Sequence, residues 1–341
     1  MLFRSHMTLA SLGYVGYGFE GSDYEGVIVR PDVFLPVTSF SFDDSNDYIT
    51  PDQIRGGRDR SIALAGPYST SGSVDMELVP NGVGALLKSA FASKGLTATS
   101  SYGTGNSSYY IHRFRPGNSS PTFTFEGNAG DILIRQYGGI RVGSMELSSS
   151  FGEIVTSSFS LEGTTRAAID LISSPGSAYN EAFDQVTPFH FNGAKIQRDG
   201  SDIANVKSFT FGVNNNIDRI GTLRRTRSYR RTVLGMRDVS LSMTLDFDDP
   251  ADYTLFLNET EFSITLDLQA SLIGTSSVRE SLVINIPRVR YNMTSIPISG
   301  NNYIEQSVDC QILKPLAGGD IFTAWLTNGE QASVWNTPTG S

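Results

Sequence analysis

The chain has 341 residues, enough for two domains with separate cores. Hydrophobic residues make up 39% and charged residues 18%, with 34 glycines; this mix argues against disorder and favours strands and turns over helices. A net charge of −9 argues against a protein that wraps nucleic acid by neutralising its phosphates.

A single cysteine, Cys310, excludes an intrachain disulfide. No apolar run reaches membrane-spanning length, and residues 1–7 lack the apolar region of a signal peptide, so no membrane partner is expected.

In chain order, residues 8–36 are rich in glycine and aromatics, chiefly over Gly13 to Gly26. Gly16, Gly18 and Gly21 match G-x-G-x-x-G, but no helix pattern follows, and a dinucleotide site needs one. An extended arm with glycine bends is expected instead. Strands are predicted at Thr38–Phe42, Ser61–Leu64 and Val74–Leu78, and a short helix at Pro80–Phe91. Residues 93–120 read as a long loop interrupted by Tyr109–Phe114. Short strands follow at Thr122–Phe125, Ile132–Ile134, Gly139–Val142, Met145–Leu147 and Val155–Leu161, and Thr165–Ala182 is the expected linker.

Beyond Pro188, Asp199-Gly200 marks a hairpin. Strands are expected at Val206–Phe211, Val239–Leu245, Glu261–Leu268, Ser281–Ile286, Val289–Met293 and Tyr303–Leu313. Asp249-Pro250 opens a helix to about Leu257. Residues 315–341 read as a tail with Trp325 and Trp335.

The chain contains one stretch twice. Val37–Gly66 and Val206–Gly235 align without a gap, with eight identities in thirty positions, where about two would arise by chance. The identities are Val37/Val206, Ser39/Ser208, Phe40/Phe209, Phe42/Phe211, Asn46/Asn215, Arg55/Arg224, Arg58/Arg227 and Gly66/Gly235. A repeat of this size implies two copies of one domain. The expected fold class is all-β, mainly antiparallel: two tandem β-sandwich or barrel domains, each with a short flanking α-helix and long hairpin loops. The expected division is 1–180 and 181–320, followed by a tail over 321–341.

Catalytic signatures are absent. His6, His112 and His190 have no motif partners, and no nucleophile elbow, P-loop or H-E-x-x-H motif occurs. Asp246, Asp248, Asp249 and Asp252 cluster, but Ala251 and Leu257 stand where an EF-hand needs Gly and Glu. No enzyme, cofactor or metal is expected. The strongest charge cluster is Arg219, Arg224, Arg225, Arg227, Arg230 and Arg231, with Arg55, Arg58 and Arg60 in matching territory of the first copy. Three readings are open: nucleic-acid binding, a solvated loop, or an inter-subunit interface in which arginine pairs with a neighbour's acids. The third is favoured, because the acidic chain supplies the partners.

Phe189-His-Phe191, Ala194 to Gly200 and Val206 to Asn215 together resemble tail tube proteins of long-tailed, siphovirus-like bacteriophages. Leu12 to Glu20, followed by Phe34 to Ser39, is also similar to that family. The resemblance implies a structural virion protein whose subunits close into rings that stack into a hollow tube for genome ejection. Related tubes use six domains per ring, so a duplicated chain implies three chains with pseudo-sixfold symmetry; six chains per ring are the alternative if one half is an outer decoration. The implied partners are other copies of the chain and the tape-measure, tail terminator and distal tail proteins, with DNA passing the lumen unbound. The implied location is the virion, after synthesis in the host cytoplasm. Two alternatives are a tail-tip or adhesin-like β-sandwich that binds host-surface carbohydrate, and a glycan-cleaving enzyme.

Overall fold

A computed structural model describes residues 13–20, 27–52, 59, 62–93, 99–103, 108–129, 133–169, 187–223, 225–298 and 303–331. It is an antiparallel β protein whose sheets do not close into a barrel, with two short α-helices among the described residues.

The first half contains β1 (Tyr14–Phe19), β2 (Val33–Leu35), β3 (Val37–Ile49), β4 (Leu64–Glu77), α1 (Gly84–Ala90), β5 (Thr99–Tyr102), β6 (Tyr109–Phe114), β7 (Phe123–Ala129), β8 (Leu133–Ser150), β9 (Thr156–Gly163) and β10 (Thr165–Ile169). The second contains β11 (Ala194–Arg198), β12 (Ser201–Asp202), β13 (Val206–Asn214), β14 (Asp218–Ile220), β15 (Arg231–Val233), β16 (Asp238–Asp246), α2 (Ala251–Leu257), β17 (Phe262–Leu272), β18 (Arg279–Ser295), β19 (Glu305–Ile312) and β20 (Thr323–Asn328).

One order of pairing recurs. β3-β4-β9-β8 in the first half is matched by β13-β16-β19-β18 in the second. Likewise β1-β7-β8-β10 is matched by β11-β17-β18-β20. The long strands β8 and β18 belong to both runs, and each bends at a one-residue bulge, at Gly143 in β8 and Asn292 in β18. The two four-strand runs join where β8 pairs with β13, so eight strands form one continuous sheet.

Alternation gives this sheet two unlike faces. On one face Val74, Phe159, Met145, Leu147, Phe209, Phe211, Leu241 and Val308 are buried in a core cluster that spans both halves. The cluster is anchored by aromatics. Phe91 at the end of α1 contacts Phe322 at 4.9 Å, and Phe322 contacts Phe211 at 5.9 Å. In the first half the sandwich closes where Phe42 of β3 stacks on Tyr137 of β8 at 4.3 Å. The other face carries Ser, Thr and acids in rungs, such as Asp75–Ser158–Glu146–Gly212–Ser240–Gln311 across β4, β9, β8, β13, β16 and β19.

Several sequence expectations are corrected. The glycine-rich arm is instead the buried strand β1, paired with β2 and β7. Its glycines allow close packing. A Cβ on Gly16 would lie 3.0 Å from the Phe34 ring, and one on Gly18 would lie 2.4 Å from the Arg30 carbonyl oxygen. The three segments expected between Ile132 and Leu147 form the single strand β8, because its glycines bend the strand without ending it. Ser281–Ile286 and Val289–Met293 likewise form one strand, with Pro287 at a register shift. The loop over 93–120 also contains β5. Residues 165–169 of the expected linker form β10, and 170–186 lie outside the described residues.

Thr323–Asn328, in the stretch read as a tail, pairs with β18 of the second half and β6 of the first. The Asp199-Gly200 hairpin is present, with φ of 49° and 79° at its two turn residues. Before α2, Asp249 accepts the backbone N–H of Ala251 at 2.6 Å, while Pro250 stands at the N-cap, one residue past the Asp start expected from the sequence.

Candidate assembly interface

The arginine-rich segment between β13 and β16 folds as a small hairpin, β14 paired with β15. It lies against the first half of its own chain. Arg219 donates to the Glu162 carboxylate of β9 and, at 2.7 Å, to the Thr70 carbonyl of β4. Burial pushes the Glu162 carboxyl above the usual carboxylate range, and the Arg219 charge only partly offsets that. Arg227 donates to the Gly66 carbonyl at 2.6 Å and to Asn46 at 3.3 Å, while its own carbonyl accepts the Tyr68 N–H at 3.2 Å.

Arginines outside the predicted cluster complete the attachment. Arg141 of β8 donates to Thr232 of β15, and Arg237 donates to Gly117 at 2.6 Å and Phe91 at 3.2 Å. Arg225, Arg230 and Arg231 are exposed. Arg55, Arg58, Arg60 and Arg224 lie outside the described residues. Sequence reasoning missed Glu162, Thr70 and Arg141, because only the β8–β13 pairing brings them to the hairpin.

The repeat identities acquire reasons here. A Cβ on Gly66 would lie 2.9 Å from the Asp47 carbonyl oxygen, and one on Gly235 would lie 2.4 Å from that of Asn216. Asp47 and Asn216 are themselves matching positions, so both glycines serve the same close approach. Asn215 is buried and donates to the carbonyls of Ala90 at 2.8 Å and Val142 at 3.2 Å, both in the first half. Its match, Asn46, is exposed.

Two of the buried titratable groups tie elements together. Asp252 accepts from Arg198 and, at 3.1 Å, from the Tyr291 hydroxyl, tying α2 to β18. Burial pushes the Tyr291 hydroxyl above its usual range. His112 is buried, with Nε2 3.0 Å from both Asn328 Oδ1 and the Glu330 carbonyl. Among the described residues, no group of three or more His, Cys, Asp or Glu could hold a metal ion, and no helix is long and apolar enough to cross a membrane.

No curated protein matches the chain. The family model described as phage tail tube protein matches residues 10–312, a span that takes in both four-strand runs and the seam between them. The chain therefore belongs to the phage tail tube protein family, a structural component of the virion.

Proposed function

We propose that this chain is the major tail tube subunit, built from two tube units, and that three chains close into a ring with pseudo-sixfold symmetry. Rings stack into the hollow tube through which the genome leaves. The observation that carries this reading is the recurrence of one pairing order in both halves, joined at β8–β13 into eight continuous strands. Three such chains supply six equivalent four-strand runs.

The hydroxyl- and acid-bearing face of that sheet suits a lumen. Its side chains bond laterally: Ser39 and Ser158 each donate to Asp75 at 2.6 Å, and Ser148 and Thr156 are 3.0 Å apart. Together with Glu146, these groups give a wetted, net-negative wall that repels DNA. The arginine cluster serves the seams between units, within the chain through Arg219 and Arg227 and between chains through Arg55, Arg58 and Arg60. The tube ends meet the tape-measure, terminator and distal tail proteins. No catalytic step is involved.

Electron microscopy of the purified chain at high concentration tests this reading. The expected result is stacked rings with six lobes and a mass of three chains per ring. Six chains per ring would overturn the trimer and keep the tube. A chain that remains monomeric with tail components present would overturn the tube reading in favour of a binding module.

A further inference from the structure

The sheet leaves two edges unpaired. Strand β3 pairs only with β4, and the part of β18 beyond Val289 pairs only with β19. Among the described residues, no backbone hydrogen bond reaches the outer side of β3 or of β18 beyond Val289. These two edges are the counterparts of the strands that already meet at the internal seam. The repeat matches β3 to β13, since Phe42 and Phe211 are 169 positions apart. The bulges match β8 to β18, since each follows directly after Val142 or Tyr291, which are 149 positions apart.

We propose that β3 of one copy pairs antiparallel with Met293–Ile296 of the next copy, in the register that β13 and β8 hold within the chain. This rests on the ring reading above. Within the chain Phe211 faces Leu147, Gly212 faces Glu146, Val213 faces Met145 and Asn214 faces Ser144. Carried over by the two shifts, Phe42 faces Ile296, Asp43 faces Ser295, Asp44 faces Thr294 and Ser45 faces Met293. The hydrogen-bonded ladder ends there, because Pro297 has no N–H to give.

Burial differs between the two seams as this pairing requires. Phe209 and Phe211 are buried at the internal seam, whereas Phe40 and Phe42 are half-buried at the free edge. Leu147 is buried under β13, while its match Ile296 is half-exposed, and Met293 and Ile298 beside it are 55% and 84% exposed. An unpaired edge flanked by exposed apolar side chains is a template for another strand. Each copy offers one edge of each kind, so the contact is head-to-tail and can close a ring.

Paired cysteines test the register. Cys310 is half-buried with its thiol pushed up to about 12, and it is replaced by serine to leave a cysteine-free background. Directly opposed residues in an antiparallel pair have Cα spacings that a disulfide spans. Asp43→Cys with Ser295→Cys is expected to give covalent multimers up to the ring number when assembled material is oxidised and run on a non-reducing gel. Asp43→Cys with Thr294→Cys is expected to give less than a tenth of that yield, because a one-residue offset points the two thiols to opposite faces.

Should the first pair disturb assembly, Ser45→Cys with Met293→Cys reads the same register. Rings visible by microscopy with no crosslink from either matched pair, or with the offset pair dominant, overturn the register and leave the tube reading standing. An unmodified chain that forms no rings removes both.

Discussion

Phe211 stands directly opposite Leu147 across the seam between the two halves, and both side chains are fully buried. The core cluster runs through this contact without a break, so the described parts of the two halves share one core. Leu147→Ala should therefore cost about 2–5 kcal/mol, the range for a buried leucine whose surroundings collapse only partly. Urea unfolding followed by circular dichroism and by tryptophan fluorescence would measure it, and the two probes should report one transition. Separate transitions for the two halves would show that the seam does not couple them.

Arg219 and Arg225 belong to the same charge cluster and should behave differently. Arg219→Ala leaves the largely buried Glu162 carboxylate and the Thr70 carbonyl without their donor, and should cost roughly 1–3 kcal/mol. Arg225 is exposed, so Arg225→Ala should fall within about 0.5 kcal/mol of the parent. Combining Arg219→Ala with Glu162→Gln in a double-mutant cycle should show coupling; additive effects would mean that the pair contributes nothing.

His112 predicts an acid-sensitive clamp between β6 and β20. Burial lowers its pKa from the ordinary 6.5, although its bonds to Asn328 and Glu330 oppose the shift. The unfolded chain therefore takes up this proton first as the pH falls below 6.5, and the contribution to stability declines from there. Above 6.5 both states are neutral and the contribution is flat. The difference in stability between the parent and His112→Gln should shift in the variant's favour between pH 6.5 and 5. A pH-independent difference would count against the assignment.

Gly18 and Gly329 separate two kinds of glycine. Gly18→Ala forces a methyl group against the Arg30 carbonyl and should cost about 1–3 kcal/mol, read as a lower melting temperature. At Gly329 the nearest atom to an added Cβ is Ile273 Cγ2 at 3.9 Å, so Gly329→Ala should be nearly neutral. Equal losses at both positions would count against close packing at Gly18 as the cause, since backbone entropy alone favours alanine at both.

Much was legible in the sequence for local reasons. Alternation in Val206–Phe211 and Val239–Leu245 placed β13 and β16 with their core faces, because a period of two needs no partner to be read. The Asp199-Gly200 turn and the Asp249-Pro250 helix start were equally local. The identities between Val37–Gly66 and Val206–Gly235 pointed to two related halves, and Gly66 and Gly235 are now seen to serve one close approach. What misled was also local. Glycines in β1 and β8 read as bends and turns, although they are where strands pass close to a neighbour or bulge.

The sequence by itself determined the strand-rich class, the repeat and the resemblance to tail tubes, all carried by residue type and spacing along one chain. Only the tertiary structure decided that β8 meets β13, that Arg219 reaches Glu162, and that Thr323–Asn328 is a strand bridging both halves. Strand neighbours are chosen by packing and by backbone hydrogen bonds between residues far apart in sequence. Arg219 and Glu162 are 57 positions apart, Trp325 and Arg113 farther still, and no local pattern marks either contact. The free edges of β3 and β18 came to light for the same reason: an edge exists only once every other pairing has been made.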